Sequence, residues 1–252
     1  MGIKECSGKK VLVSGATPFD PQNRIKPFEA AACETTNREM RVFRKGSAGS
    51  RFVLLGGTIT RPQLKPKLAG DNQPVAKVTA PEAEAYCRAQ LNKNGTPGRL
   101  PTSEEWEKMA RGPKDFTYAT DDGTLKCGKN ASCSLDAHMD DPSVVGLKEN
   151  GCVYDAALDV WGCAKNLVGD THIRGDMDAS SVVGSFGKSG FGVYDAAGNV
   201  WEFAKGPDGD THIRGGSWSY FDASDMRAGN RIAVGPDDWY NSVVGFRCVW
   251  PL

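Results

Sequence analysis

The sequence predicts a mixed α+β protein that has few helices, short strands and much irregular structure. Its 252 residues include 30 glycines and 14 prolines, a composition typical of loop-rich globular proteins. Clear helix signals occur in three segments, and the candidate strands are short. A chain of this length can bury a sizeable core. We therefore expect one α+β domain over residues 1–252.

The first helix is predicted from the spacing of its apolar residues, and the second from a capping pattern. One begins near Thr36 and runs through NREMRVFRKG, with Met40 and Phe43 facing inward. The next begins with the capping-box pattern TAPE at residues 79–82 and is expected to end before Gly95.

The third helix opens with a second capping box, TSEE, at residues 102–105. Trp106, Met109 and Ala110 fall on one helical face, and Gly112 closes the helix. Short strands are expected at residues 10–13, 52–55 and 245–249.

Charge and hydropathy limit the classes of partner. The chain has 31 basic and 31 acidic residues, so no basic field favours nucleic acid or an acidic membrane surface. No apolar run reaches the roughly 18 residues that a membrane-spanning helix needs. We expect a protein or surface ligand as the partner, and neither nucleic acid nor a transmembrane segment.

Eight cysteines form an even set in a loop-rich chain, which favours disulfides and an oxidising compartment. An extracellular or cell-surface location is therefore expected, with a reduced cytoplasmic protein as the alternative. The spacing of paired zinc-finger cysteines is absent.

The second half contains an internal duplication. Val153–Gly175 and Val193–Gly215 are identical at 16 of 23 positions, and the similarity extends upstream, so residues 143–175 correspond to 181–215. Two copies are too few for a solenoid or a propeller, which indicates a tandem duplication within one domain.

Cysteines that occur in only one copy indicate a pair. Cys152 and Cys163 are replaced by glycine and phenylalanine in the second copy, so we expect them to bond to each other. Cys127 and Cys133 enclose a five-residue loop and form the next candidate pair.

Four motifs jointly carry a family resemblance. GRLPTSEEWEKMARG begins at Gly98, GNVWE at Gly198, RGGSW at Arg214 and GFR at Gly245. Together they resemble the formylglycine-generating-enzyme (sulfatase-modifying factor) superfamily, whose domain is an elaborated C-type-lectin fold. The resemblance spans residues 27–248 and implies that fold for this chain.

The resemblance implies a disulfide and a metal site. Cys87 and Cys248 lie where the family often has a disulfide, which leaves Cys6 and Cys33 as a pair by elimination. A calcium site is implied in the segment YDAAGNVWE. Its ligands would be the side chains of Asp195 and Glu202 and the backbone carbonyls of Gly198 and Val200. The residues themselves also allow two turn-stabilising carboxylates without a metal.

The enzymes of this superfamily use two cysteines five residues apart, shortly after Gly-Gly-Ser. Tyr220 and Asp225 stand at those positions here, and a phenol and a carboxylate cannot replace two soft thiolate ligands. His138, His172 and His212 offer no set for the histidine-bound iron of related oxidative enzymes. We therefore expect no catalytic residue and no enzyme activity, with a formylglycine-type oxidase as an alternative.

The segment between Trp218 and Gly245 has an unusual composition, because its 26 residues contain no Lys, Glu or Gln. Its position and composition resemble the variable proteins of diversity-generating retroelements, in which adenines of AAY codons are randomised. Such codons cannot become Lys, Glu, Gln, Met or Trp. Met226 and Trp239 fall outside this rule and are expected to be fixed positions.

Residues 215–248 are therefore predicted to form a variable binding region on a rigid scaffold. An invariant structural or interaction protein of the same superfamily is the main alternative. Expected scaffold residues are Trp218, Arg227, Arg231, Trp239, Gly245 and Phe246. Expected exposed ligand-binding residues are Ser219, Tyr220, Phe221, Asp222, Ser224, Asp225, Asn230, Ile232, Val234, Asp237, Asp238, Tyr240 and Asn241. Such a mixture of aromatic and small polar side chains is typical of binding loops.

Overall fold

The structure is a computed structural model of the chain. It describes Cys6 and residues 8–46, 69–125, 152–155, 160–163, 180–218, 223–235 and 243–252. Only the backbone of 152–155 and 160–163 is described. The strand predicted at 52–55 and the pair Cys127 and Cys133 lie outside these residues. Within them, no helix is long and apolar enough to cross a membrane.

The described residues contain short helices and short strands, which confirms the α+β class. The helices are α1 Asn37–Lys45, α2 Ala80–Ala89, α3 Ser103–Arg111 and a 3₁₀ helix at Ala223–Met226. The strands are β1 Lys10–Val13, β2 Phe28–Ala31, β3 Cys152–Asp155, β4 Val160–Cys163, β5 Trp201–Lys205, β6 Thr211–Arg214, β7 Ile232–Val234, β8 Val244–Gly245 and β9 Val249–Pro251.

Helices α1 and α3 begin with complete capping boxes at Thr36 and Thr102. Helix α2 has half of one: the Thr79 hydroxyl accepts a hydrogen bond from the Glu82 amide, but the Glu82 carboxylate pairs with Arg44 of α1 at 2.9 Å. Glu82 therefore joins two helices instead of closing its own cap.

Helix α2 ends at Ala89, several residues before the predicted stop at Gly95. The carbonyl of Gln90 accepts hydrogen bonds from the Gly98 amide and from Nε1 of Trp250, both at 2.9 Å. These tertiary bonds turn the chain back toward β9, so the helix stops early.

Two sheets position the site. The first has the strand order β1-β2-β9, and the second has the order β7-β6-β5-β8, in which the short pair β5 and β8 is parallel. The predicted strand at 245–249 is split between β8 in one sheet and β9 in the other. Residues 246–248 connect the two sheets, and they carry the side chain of Arg247 into the protein.

Helix α3 packs its predicted face into the core, since Trp106, Met109 and Ala110 are at most 1% exposed. Their core cluster includes Met226 from the C-terminal region, whereas Phe246 belongs to a second cluster with α1 and α2. The middle and the C-terminal end of the predicted binding region thus rest on different parts of the core.

Disulfides tie both termini to the domain. Cys87 of α2 is bonded to Cys248, the pair that the resemblance implies, and Cys6 is bonded to Cys33. In the β3–β4 hairpin, the backbones of Cys152 and Cys163 lie directly opposite each other.

The two sequence copies form different local structures. Strand β4 of the first copy pairs with β3, but the matching β5 of the second copy pairs with β6 and β8. Residues 192–195, which correspond to β3, form no strand, and Tyr194 makes an isolated bridge with Lys188. Tertiary contacts rather than local sequence therefore decide the conformation of the repeat.

Candidate functional site

The predicted binding region begins with a rigid Gly-Gly pair. Gly215 and Gly216 have φ angles of +93° and +77°. A Cβ at Gly215 would lie 2.9 Å from Cζ2 of Trp106, and one at Gly216 would lie 2.5 Å from Sδ of Met226. Both positions thus require glycine for their conformation and for the close packing.

The far end of the region is equally fixed. A Cβ at Gly245 would lie 2.5 Å from the carbonyl oxygen of Val75. Phe246 is fully buried and packs edge-on against Tyr86, with ring centroids 5.4 Å apart. Cys248 follows in its disulfide with Cys87.

Two residues anchor the middle of the region to the core. Met226 is fully buried in the cluster of Trp106. Ala228 is also buried, and its amide donates to the carbonyl of Thr117 at 2.8 Å. The carbonyl of Ala228 accepts a hydrogen bond from Nη2 of Arg214 at 3.1 Å. The described part of the region therefore has fixed points inside as well as at both ends.

Four predicted binding residues lie at the surface between these anchors. Ser224 is exposed, and Asp225, Asn230 and Ile232 are partly exposed. Nδ2 of Asn230 lies 3.3 Å from Oδ1 of Asp225 across the turn. Eight others lie outside the described residues: Ser219, Tyr220, Phe221, Asp222, Asp237, Asp238, Tyr240 and Asn241.

The expectation that Val234 is exposed is wrong. It is 8% exposed and packs in the cluster of Phe246, because alternate residues of β7 face opposite sides. Its neighbour Ala233 is exposed instead. The alternation of Ile232, Ala233 and Val234 could have identified this strand from the sequence. Ile232 shares the side of Val234 and packs partly against the same cluster. We use "recognition face" for Ser224, Asp225, Asn230 and Ala233.

The arginines of this region divide into two groups. Arg214 and Arg247 are fully buried and donate to backbone carbonyls. Arg227 and Arg231, predicted as scaffold, have exposed side chains beside the recognition face.

A buried charge cluster consists of Glu34, Asp195, Asn199, Glu202 and Arg247. Nε and Nη2 of Arg247 donate to the two carboxylate oxygens of Glu202 at 2.6 and 2.5 Å. Nε1 of Trp106 donates to Glu202 at 2.9 Å, and Arg247 also donates to the carbonyls of Ala32 and Tyr194. The cluster therefore joins α3, β5 and the connection between β8 and β9.

Two further carboxyl groups share the cluster. Oε1 of Glu34 accepts a hydrogen bond from Nδ2 of Asn199 at 2.9 Å, and no group donates to its buried Oε2. Burial, together with the charge of Asp195, raises the pKa of Glu34 well above its ordinary value. Burial likewise raises the pKa of Asp195 to about 6. A proton on Glu34 allows a hydrogen bond to Asp195, so one proton and Arg247 together reduce the buried negative charge.

The side chains as arranged do not fit the calcium site that the resemblance implies. The Asp195 carboxylate accepts hydrogen bonds from the amides of Gly184 and Phe186, and Glu202 is held by Arg247. A guanidinium therefore lies against the carboxylate that calcium would need. The described residues contain no cluster of His, Cys, Asp or Glu suited to a metal ion. Glu34, which no sequence motif indicated, is part of this same buried set.

His212 lies in the repeated GDTHIRG motif and packs inside the protein. Its Nδ1 lies 2.9 Å from Oγ of Ser103, the first residue of α3. Burial lowers the pKa of His212, and the charge of Asp210 opposes this only in part. The residue thus has a packing role.

We expect His212 to make stability depend on pH. Because the folded state lowers the pKa of this base, its contribution is complete above the ordinary histidine pKa of about 6.5 and is lost as the pH falls. The free energy of unfolding should therefore fall less between pH 7.5 and 5 in His212→Gln than in the parent, as measured by urea denaturation. Ser103→Ala removes the hydrogen bond but keeps the titrating group, so its pH slope should resemble the parent slope. Equal slopes in all three proteins would contradict this assignment.

Comparison with known proteins finds solved structures with a similar fold. No curated protein matches the sequence. Treponema denticola variable protein 1 is 16% identical with a TM-score of 0.54, over 90% of this chain and 85% of that one. PvdO from Pseudomonas aeruginosa is 21% identical with a TM-score of 0.58, over 100% and 98% of the two chains. CarF is 16% identical with a TM-score of 0.55, over 97% and 98%.

At these identities the three likenesses concern the fold alone. The sequence gives the more specific result, because a family model described as the sulfatase-modifying factor enzyme 1-like domain matches residues 8–252. Since that match covers nearly the whole chain, the protein belongs to the family of the sulfatase-modifying factor enzyme 1-like domain.

Proposed function

We propose that this protein is a non-enzymatic ligand-binding protein whose recognition face varies in sequence on a fixed scaffold. The observation that carries the proposal is the alternation of fixed and exposed positions in one segment. Met226 and Ala228 are buried, whereas Ser224 and Asp225 before them and Asn230 after them reach the surface. Exposed positions of this kind can change without loss of core packing.

The fixed positions also agree with the codon argument. Met226 cannot arise from a randomised AAY codon, and it is a fully buried anchor. The segment around it has small polar, acidic and aliphatic residues and two arginines, with aromatic residues that include Tyr220, Phe221 and Tyr240 in the sequence. Rigid aromatic and adaptable polar side chains together serve selective binding. The partner in this proposal is a protein or a surface ligand.

The cysteines support binding rather than oxidation. Cys248 is the last cysteine of the chain, and it is bonded to Cys87. Asp225, at one of the two positions used by catalytic cysteines in the superfamily, is a carboxylate in the 3₁₀ helix. The two disulfides in the described part also support an oxidising location, extracellular or at the cell surface.

Substitutions on the recognition face should therefore be tolerated. We expect Ser224→Tyr/Asn230→Tyr to change the melting temperature by no more than about 2 °C. Met226→Ser should lower it by about 10 °C, because it leaves a cavity and a hydroxyl in the core. Circular dichroism during heating measures both. Equal losses in the two proteins would contradict the division into face and anchor.

Binding is tested with a displayed library in which the predicted binding residues between 219 and 241, other than Val234, are randomised. Lysozyme serves as a probe target, and a library randomised only at Met226, Ala228 and Val234 serves as the control. We expect specific binders from the first library and none from the second. The same purified protein should consume no oxygen with copper and a cysteine-bearing peptide. Copper-dependent turnover, or binders from the control library alone, would overturn the proposal.

A further inference from the structure

A cavity of about 660 Å³ opens on the outer face of the first sheet, away from the recognition face. Lys10, Glu29, Ala31 and Trp250 share that face by strand register and line the cavity. The start of α1 and the end of α2 form its other walls. Its volume lies within the roughly 300–1,000 Å³ of small-molecule sites. No residue of the recognition face lines it.

The walls combine aromatic rings with amide groups. Trp250 is held in place by its hydrogen bond to the carbonyl of Gln90 at the end of α2, and Tyr86 of the same helix also lines the cavity. Asn72 and Asn92 add further amide side chains to the lining. Such walls offer apolar contact to a ring and hydrogen bonds to hydroxyl groups.

Among the described residues that line this cavity, the charge that is not ion-paired is net positive. Lys9, Lys10 and Lys93 line it, and in the described part no carboxylate oxygen lies within 4 Å of their ammonium nitrogens. Nζ of Lys10 donates a hydrogen bond to the carbonyl of Leu91 at 3.4 Å and lies 3.7 Å from the centre of the Trp250 ring, so both contacts are to neutral groups.

The acidic residues of the lining are less available to these lysines. The Glu39 carboxylate is used in the cap of α1, and burial raises the pKa of Glu34. Burial lowers the pKa of Lys10; nearby Glu29 opposes this effect, and Lys93 adds to it. Glu29 is therefore the one carboxylate of the described lining left to face three ammonium groups.

We propose that this cavity binds a small, hydroxyl-bearing organic anion, such as a uronic acid or a sugar phosphate. Its carboxylate or phosphate group would lie between Lys10 and Lys93, with the ring against Trp250 and Tyr86. The site is part of the fixed scaffold, so it would bind the same ligand while the recognition face changes.

Isothermal titration calorimetry of the full chain with D-glucuronate, glucose 6-phosphate and glucose tests the proposal. We expect at least one anion to bind at least about tenfold more tightly than glucose, and to bind more weakly in 0.5 M NaCl. Whichever anion binds more tightly shows whether the site prefers a carboxylate or a phosphate group. Lys10→Met/Lys93→Met should weaken that binding at least tenfold.

The matched control is Lys26→Met/Lys114→Met, which removes the same charge from two exposed lysines outside the cavity. It should leave the affinity unchanged. If Lys10→Met disturbs the contact with Trp250 and the protein does not fold, Lys93→Met alone provides the test. Three results would each overturn the proposal: no binding of either anion at 10 mM, equal affinity for glucose, or unchanged affinity in the cavity variants.

Discussion

Replacing Arg247 by methionine should lower the free energy of unfolding by about 3–5 kcal/mol, because it leaves the buried Glu202 carboxylate without its cation. Arg247 is fully buried, makes two of the three hydrogen bonds described for that carboxylate and donates to the carbonyls of Ala32 and Tyr194. Asp195 and Glu34 in the same cluster would lose the charge that partly offsets their burial. Urea denaturation at pH 7.5 measures the loss.

Two control variants separate this effect from a general loss of charge. Arg231→Met removes the same charge from an exposed side chain and should change stability by less than about 0.5 kcal/mol. Arg247→Met/Glu202→Gln removes both charges and should be more stable than Arg247→Met alone. A loss of less than about 1 kcal/mol in Arg247→Met would show that Arg247 does not compensate the buried carboxylates.

Removal of the Cys87–Cys248 disulfide should have the second large effect. The bond joins residues separated by 161 positions, whereas Cys6–Cys33 spans 27. Loss of loop closure in the unfolded chain predicts a destabilisation of about 5 kcal/mol for Cys87→Ala/Cys248→Ala. The corresponding loss for Cys6→Ala/Cys33→Ala is about 3.5 kcal/mol. Denaturant unfolding of the two double variants compares these values.

The order of the two losses is the critical result. Cys248 follows Phe246 and Arg247, so its bond also holds the C-terminal end of the predicted binding region against α2. A larger loss from the Cys6–Cys33 variant would contradict the assignment of Cys87–Cys248 as the main covalent tie.

Much of the scaffold around the binding region could be predicted from local sequence, because helix caps and glycine turns are marked by a few neighbouring residues. Capping patterns predict the starts of α2 and α3, and the Gly-Gly pair at 215–216 indicates a backbone that no other residue adopts easily. The end of α2 could not be predicted, because Gln90 is turned by hydrogen bonds from Gly98 and Trp250. Trp250 is 160 residues away from Gln90, so local sequence does not show that the two residues will meet.

The buried charge cluster was missed for a similar reason. Asp195 and Glu202 were visible in a motif, but Glu34 is 161 residues before Asp195 and Arg247 is 45 residues after Glu202. No local pattern shows that a guanidinium will reach this carboxylate. Val234 lies in a segment whose composition is typical of a binding loop, but its place in β7 buries its side chain.

The most direct test of the central proposal is to sequence the codons for residues 215–248 from many independent clones of the source population. The proposal predicts replacements concentrated at exposed positions such as Ser224, Asp225 and Asn230, with Trp218, Met226, Arg247 and Cys248 unchanged. Identical sequences in every clone, or replacements spread evenly over buried and exposed positions, would contradict it.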